Sequence, residues 1–253
     1  MYSYSGPQGL LKDDNPIVFV HGTGMDHTVW TLPARYFLRK ERGVISIDLP
    51  GHGKSKGPLL SSVEAMSEVV LEYLDSRNID KFSIVGHSLG SLIALETASK
   101  AQNRINSMVM IGTTFPMMVS KDLLDLAKKN DPEAINILTY FSYSNSSRIG
   151  SNSNPGIWMT GMTKKLMEKS KKNVIYNDLL ACSTYKTGLE SAKNVSAKTT
   201  LILGGEDMLT PRRFCEKLIA SFSSPEIKEI PSSGHSLMME QPNDVLNYLI
   251  QAL

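Results

Sequence analysis

Residues 82–96 read Phe-Ser-Ile-Val-Gly-His-Ser-Leu-Gly-Ser-Leu-Ile-Ala-Leu-Glu, and this stretch decides the fold. A short apolar run leads into a Gly-His-Ser-Leu-Gly turn centred on Ser88, and a run of helix-forming residues follows. The pattern predicts a strand, a sharp turn and a helix, with glycines that leave room for the turn and expose the Ser88 hydroxyl. An ordinary N-cap serine between two glycines is the alternative, so the surrounding sequence has to decide.

The composition is that of a folded globular domain. Of 253 residues, 41% are hydrophobic and 21% charged. The 27 basic and 25 acidic residues give a net charge of +2, too small to predict nucleic acid or an anionic membrane as a partner.

Cys182 and Cys215 show no disulfide or zinc-site spacing, so we expect reduced thiols. No signal peptide and no run of about 18 apolar residues occurs, which predicts a cytoplasmic protein without membrane insertion.

Short apolar runs alternate with helical segments along most of the chain. The predicted strands are residues 17–20, 44–47, 82–85, 108–111, 200–203 and 226–230. The first five are mostly apolar, as strands buried on both faces are, whereas the last alternates and predicts an edge strand. Helix starts are predicted by a capping box at 61–64 and by Thr210-Pro211, and any antiparallel N-terminal hairpin must be short. We therefore predict an α/β fold, with a mostly parallel sheet of about six to eight strands and helices on both faces.

The alternation breaks between residues 113 and 197. Four helix-like segments follow one another there, near residues 120–130, 132–143, 156–172 and 174–184, and a Ser/Asn-rich loop at 142–154 divides them. We predict an insertion, the cap (residues 113–197), in a core formed by residues 1–112 and 198–253. Five methionines of the cap either fill its interior or line a substrate pocket, and they are Met117, Met118, Met159, Met162 and Met167.

A reactive Ser88 would need a base to take its proton and a third group to orient that base. Asp207 and His235 are the candidates, because each directly follows one of the last two predicted strands. Functional groups of open α/β sheets collect at the carboxyl ends of the strands, so we expect these side chains to meet at that edge. Glu206 is the neighbouring alternative to Asp207.

Two further motifs complete a family resemblance. Residues 21–27 read His-Gly-Thr-Gly-Met-Asp-His, and residues 48–55 read Asp-Leu-Pro-Gly-His-Gly-Lys-Ser. With the serine turn and the order Ser, Asp, His along the chain, they resemble the α/β-hydrolase superfamily, in particular its cap-bearing, esterase-like members with a serine nucleophile. The resemblance implies that Ser88 is the nucleophile, His235 the general base and then acid, and Asp207 the carboxylate that orients the imidazole.

The resemblance also implies an oxyanion hole built from two backbone N–H groups. One is the N–H of Leu89, directly after the nucleophile, and the other is that of Thr23 in the first motif. Gly24 is a substitute for Thr23. Three polar side chains of the two motifs are expected to brace their loops rather than react, and they are His21, Asp48 and His52.

These residues together predict a serine hydrolase, in the first place a carboxylesterase that cleaves small to medium esters through an acyl-enzyme. The same groups serve thioesterases, lactonases, carbon–carbon bond hydrolases and perhydrolases, and a slow-turnover ligand sensor is a further alternative. Ser88 excludes the family's aspartate-nucleophile dehalogenases and epoxide hydrolases.

We expect no metal, flavin or nicotinamide cofactor. The cap lysines 164, 165, 169, 171 and 172 suggest a solvated helix face, while the methionines and residues 237–239 predict an apolar pocket for an uncharged ester.

Overall fold

The structure, a computed structural model, describes residues 1–13, 15–150 and 156–253. Within them seven strands form one sheet, and they are β1 (Tyr2–Tyr4), β2 (Ile17–Val20), β3 (Val44–Asp48), β4 (Phe82–His87), β5 (Ile105–Ile111), β6 (Lys198–Gly204) and β7 (Glu226–Ile230). The strands lie in the order β1-β3-β2-β4-β5-β6-β7, and all neighbouring pairs except β1 and β3 are parallel. The predicted α/β fold with a mostly parallel sheet is therefore confirmed.

The two edges of the sheet differ from its buried centre. β7 is the outer strand on one side, and its partly exposed side chains agree with its alternating sequence. On the other side, β1 is short and antiparallel as expected, but it pairs with β3 and so forms no hairpin with β2. Because β3 and β4 already flank β2, β1 pairs with the outer edge of β3 instead.

Twelve α-helices occur in the described residues, and they are α1 (Thr31–Arg39), α2 (Val63–Asp75), α3 (Leu89–Lys100), α4 (Lys121–Lys128), α5 (Pro132–Phe141), α6 (Asn145–Arg148), α7 (Met159–Glu168), α8 (Val174–Thr184), α9 (Gly188–Asn194), α10 (Glu216–Ile219), α11 (Leu237–Glu240) and α12 (Pro242–Ala252). α2 and α3 cover one face of the sheet, and α1 and α12 cover the other. The N-cap of α2 is Ser62, whose hydroxyl accepts the Ala65 N–H. The helix therefore begins one residue later than a capping box with Ser61 as the N-cap predicts. None of these helices combines the length and apolar character needed to cross a bilayer.

Helices α4–α9 lie between β5 and β6, in the stretch predicted to be the cap. α4, α5, α7 and α8 correspond to the four predicted helices. α6 lies in the predicted loop, and α9 lies in a stretch for which the sequence predicts no helix or strand. Residues 151–154 of that loop lie outside the described part of the chain. One face of α8 joins α4, α5 and α7 in an apolar cluster that includes Met25, and its other face packs with α9 toward α3. α8 is therefore buried between the inserted helices and the core.

Candidate active site

Ser88 lies on a strained turn between β4 and α3. Its φ of +54° and ψ of −121° are rarely adopted by residues other than glycine, at a typical cost of about 1–3 kcal/mol. The turn is tight enough that a Cβ on Gly86 would lie 1.9 Å from the Gly90 carbonyl oxygen, and one on Gly90 would lie 2.3 Å from the Val20 oxygen. The glycines on both sides of Ser88 are therefore required by the close approach of three backbone segments.

Asp207 and His235 meet at the carboxyl edge of the sheet, as the sequence predicts. His235 donates its Nδ1–H to Asp207 Oδ2 at 2.8 Å, and the Thr210 hydroxyl donates to the same oxygen at 2.7 Å. Asp207 Oδ1 accepts the N–H groups of Leu209 and Thr210 at 2.9 and 2.7 Å. Burial alone would raise the pKa of Asp207, but His235 and these donors outweigh burial and lower the pKa below its usual value. The carboxylate is thus held ionised against the imidazole.

Thr210 does not have the helix-capping role that the sequence predicts for it. It begins no α-helix, since β6 is followed by a short 3₁₀ turn (Arg212–Phe214) and then by α10. Its hydroxyl contacts Asp207 and lies 3.1 Å from His235 Nδ1. The Thr-Pro pattern indicated an N-cap because threonine and proline favour helix starts, but the neighbouring carboxylate is the stronger partner for the hydroxyl. Glu206, the alternative acid, instead accepts the Asn145 N–H at 3.2 Å.

His87 and Glu240 hold the loop that carries His235. His87 donates its Nε2–H to the His235 carbonyl oxygen at 2.9 Å, and burial, together with nearby His235, lowers the pKa of His87 to about 3. The buried Glu240 carboxylate accepts the Gly234 N–H at 2.8 Å and the Ser144 N–H at 3.0 Å. Glu240 therefore ties the His235 loop to the inserted helices, a role that no local sequence signal indicates.

The loop after β2 brings Thr23 to the same site. Thr23 lines a cavity together with Ser88 and His235, and its backbone N–H has no acceptor within residues 1–13, 15–150 and 156–253. The Leu89 N–H, in the first turn of α3, likewise has none in the described chain. The Gly24 N–H, by contrast, donates to Asp178 of α8 at 2.9 Å. Ser88 and His235 share the cavity but are not joined by a hydrogen bond.

The cavity above Ser88 has a volume of about 300 Å³ and a largely apolar wall. Its lining residues are Thr23, Met25, His87, Ser88, Met117, Met118, Val119, Ser120, Leu123, Ile137, Leu138, Phe141, Ser142, Met167, Leu179, Cys182, Met208, Leu209, Thr210 and His235. Three of the five cap methionines line it, and among the described residues no lysine, arginine or carboxylate does so. Leu237 and Met238, expected beside the pocket, pack instead in the core with α12.

One cluster of potential metal ligands occurs in the described part of the chain, formed by Asp26, His27 and Asp48 within 4.8 Å of one another. Asp48 Oδ1 accepts the backbone N–H and the Nδ1–H of His27 at 2.7 and 2.8 Å, and Oδ2 accepts the Lys54 N–H at 2.9 Å. These bonds use the carboxylate oxygens to fix the turn after β3. The cluster therefore braces two loops, the role expected for Asp48 from the sequence.

The sequence matches the alpha/beta hydrolase family over residues 17–247, and the chain therefore belongs to this family. The fold agrees with that assignment. The enol-lactonase from Burkholderia xenovorans LB400 superposes with a TM-score of 0.85 at 16% identity, covering 99% of this chain and 94% of that chain.

Three relatives show what the chain resembles in sequence. "Putative esterase/lipase 2" of Mycoplasma pneumoniae is 24% identical over 92% of this chain and 86% of that protein. The 2-hydroxy-6-oxo-2,4-heptadienoate hydrolase of Pseudomonas putida is 23% identical over 90% of this chain and 84% of that protein. A 101-residue stretch is 41% identical to the dihydrolipoyllysine-residue acetyltransferase component of a Pseudomonas putida acetoin cleaving system, covering 39% of this chain but only 26% of that protein.

Proposed function

We propose that the protein is a serine carboxylesterase in which Ser88 is the nucleophile, His235 the base and Asp207 the orienting carboxylate. One observation carries this proposal: a serine on a strained turn shares a cavity with an imidazole whose Nδ1–H is held by a buried carboxylate at 2.8 Å. Fixing Nδ1–H in this way leaves Nε2 as the ring nitrogen that can accept the Ser88 proton.

The two unpaired backbone N–H groups supply the second requirement of acyl transfer. A tetrahedral intermediate carries a negative oxygen, and Thr23 and Leu89 offer N–H donors beside Ser88. Gly24, the alternative to Thr23, is a poorer candidate because its N–H already donates to Asp178. We therefore assign the oxyanion hole to Thr23 and Leu89.

The reaction then proceeds in two balanced steps. Ser88 Oγ attacks the ester carbonyl carbon while His235 Nε2 takes the hydroxyl proton, and the alcohol leaves with that proton as the acyl-enzyme forms. Water next attacks the acyl-enzyme, His235 takes a proton from the water and returns it to Ser88, and the carboxylic acid is released. Each step passes through an oxyanion that the two N–H groups stabilise.

The cavity supports an uncharged acyl group of short to medium length. Its volume of about 300 Å³ is small, and the described residues of its wall include no lysine or arginine to pair with an acidic or nucleotide-bearing substrate. The cap of residues 113–197 supplies three of the five methionines, three of the four leucines and Phe141 of this wall, so we propose that the cap is the specificity unit on the hydrolase core.

A carbon–carbon bond hydrolase is the second candidate, because one full-length relative is named for 2-hydroxy-6-oxo-2,4-heptadienoate. Such a dienoate carries a carboxylate, and in the described part of the chain no lysine or arginine lines the cavity to bind one. The wall composition therefore favours the ester. Thioesters, lactones, peracid formation and slow-turnover ligand sensing are the remaining alternatives, and a substrate panel distinguishes them.

The test compares the wild type and Ser88→Ala on p-nitrophenyl acetate, butyrate, octanoate and dodecanoate, a lactone, a thioester and a dienoate. We expect the best kcat/KM on butyrate or octanoate, with labelling of Ser88 by a fluorophosphonate. Ser88→Ala should fold normally but lose at least about 10³-fold in kcat, because the substitution removes the hydroxyl that forms the acyl-enzyme. A variant that keeps a tenth of the activity would refute the assignment of the nucleophile.

A further inference from the structure

Asp178 is a fully buried carboxylate in the middle of α8, and the proposed mechanism does not use it. Its Oδ2 accepts the Gly24 N–H and the His52 Nε2–H, each at 2.9 Å. Asp178 thus connects one inserted helix to both the loop after β2 and the turn after β3. A buried charge is costly unless it is paired and hydrogen-bonded, so Asp178 depends on these two hydrogen bonds to be tolerated inside the protein.

His52 is the counterion of Asp178. Its Nδ1 lies 3.1 Å from the Pro50 carbonyl oxygen and its Nε2 faces the carboxylate, and since both partners only accept, both ring nitrogens must carry hydrogen. Burial lowers the pKa of His52, but the charge and hydrogen bond of Asp178 outweigh burial, and the net change is upward. The adjacent His21 stays neutral, because its Nε2 accepts the Leu49 N–H and burial lowers its pKa to about 4.

The loop between β2 and α1 is held between the Ser88 turn and α8. A Cβ on Gly22 would lie 3.2 Å from the Ser88 Cβ, and a Cβ on Gly24, which has a φ of +65°, would lie 3.1 Å from Ile175 of α8. The Gly22 carbonyl oxygen accepts the Met25 N–H at 3.2 Å. Because the C=O and N–H of one trans peptide point in opposite directions, the Thr23 N–H is directed away from this loop turn.

We propose that Asp178 is a positioning residue for the oxyanion hole. By accepting the Gly24 N–H, it fixes the peptide that follows Thr23, and with it the direction of the Thr23 N–H beside Ser88. His52 binds the same carboxylate oxygen and holds it in place, so the hole is complete only while α8 is seated on the core. The inference rests on the proposed function, since an oxyanion hole serves acyl transfer.

The test uses two substitutions of Asp178 that differ in one respect. Asp178→Ala removes the acceptor for Gly24, whereas Asp178→Asn keeps an oxygen that can accept it. With p-nitrophenyl butyrate we expect Asp178→Ala to lower kcat at least about tenfold and to change KM less than about twofold, because donors to the oxyanion act mainly in the transition state. The inhibition constant of a trifluoromethyl ketone, which forms an oxyanion on Ser88, should rise by a similar factor. Asp178→Asn should recover most of both losses.

Glu96→Ala is the matched control, because Glu96 is also a buried carboxylate between the core and the inserted helices. Glu96 Oε2 accepts the hydroxyl hydrogens of Tyr185 and Ser191 at 2.8 and 2.7 Å, and neither residue lines the cavity. Glu96→Ala should lower the thermal midpoint as Asp178→Ala does, but leave kcat and the inhibition constant within about twofold of wild type.

Two results would overturn the inference. The first is an Asp178→Ala variant that folds and keeps kcat within about twofold of an active wild type. The second is a Glu96→Ala variant with the same losses in kcat and inhibitor binding, which would mean that both carboxylates act only through stability. A wild type that neither hydrolyses the esters nor reacts with a fluorophosphonate would overturn the proposed function itself, and would be recognised before any variant is compared.

Discussion

The Thr210 hydroxyl is the contact that distinguishes the Asp207 carboxylate from an ordinary buried ion pair. It donates to the same oxygen that accepts the His235 Nδ1–H, while two backbone N–H groups hold the other oxygen. With both oxygens fixed, the carboxylate cannot rotate away from the imidazole. We therefore interpret Thr210 as a positioning residue for His235.

Thr210→Val tests this interpretation, because valine has the shape of threonine without its hydroxyl. We expect a loss of about tenfold in kcat with KM unchanged, since a hydrogen bond to a charged group is typically worth about 1.5–3 kcal/mol. Steady-state kinetics on the preferred ester provides the measurement. Thr139→Val is the control, because the buried Thr139 hydroxyl has no partner within the described residues, and it should leave kcat unchanged. Equal kinetics in both variants would refute the role of Thr210.

The inserted helices and the core contribute different kinds of groups to the cavity. The core provides the reactive polar groups of the cavity, Ser88 and His235, and Asp207 holds His235 without lining the cavity itself. α4, α5, α7 and α8 provide apolar side chains that face them across the cavity. The wall can therefore change with the sequence of these helices while the polar groups stay fixed, which is why we place substrate selection in the insertion.

Phe141→Ala, at the end of α5, should enlarge the cavity and move the preferred acyl chain toward greater length. Each methylene that becomes buried contributes about 0.8 kcal/mol, or roughly fourfold in kcat/KM. The measurement is the ratio of kcat/KM for p-nitrophenyl dodecanoate to that for butyrate. Tyr140→Ala is the control, because Tyr140 is exposed and does not line the cavity. An unchanged ratio in Phe141→Ala would mean that the acyl chain lies elsewhere.

Buried histidines link the stability of the molecule to pH. His21 and His87 are neutral in the folded protein, with the pKa of each lowered by burial and by a neighbouring histidine to about 4 and about 3. The unfolded chain takes up these protons below about pH 6.5, whereas the folded protein does not, so stability is full above that pH and falls as pH decreases. His52 behaves oppositely, because its raised pKa adds stability below about pH 6.5 that is lost as pH rises through the folded pKa.

Urea unfolding at pH 6.5 and pH 5 should show a loss of about 3–4 kcal/mol from the two neutral histidines, because each contributes about 1.4 kcal/mol per pH unit. His87→Gln removes one of these titrating groups and should roughly halve the difference between the two pH values. A wild type equally stable at both would show that these rings take up protons without unfolding.

The sequence places the strands and the Ser88 turn well, but it misses several contacts around the site. Ser88, Asp207 and His235 could be predicted because each follows the end of a predicted strand, and strand ends are local signals. The Asp178 contact could not, since its partner Gly24 lies 154 residues away. The role of Thr210 is missed for a different reason, because Asp207 lies only three residues away but its carboxylate competes with a helix start for the Thr210 hydroxyl.

The amino-acid order was enough for the sheet, the glycine-flanked turn and the family, because strand periodicity, turn chemistry and motif spacing depend on neighbouring residues. Folding in three dimensions decided which N–H groups stay unpaired, which side chains form the cavity wall, and where α8 holds the loop beside Ser88. Those features depend on packing between remote segments, in which a shift of one ångström changes a hydrogen bond, and local sequence patterns carry no record of such distances.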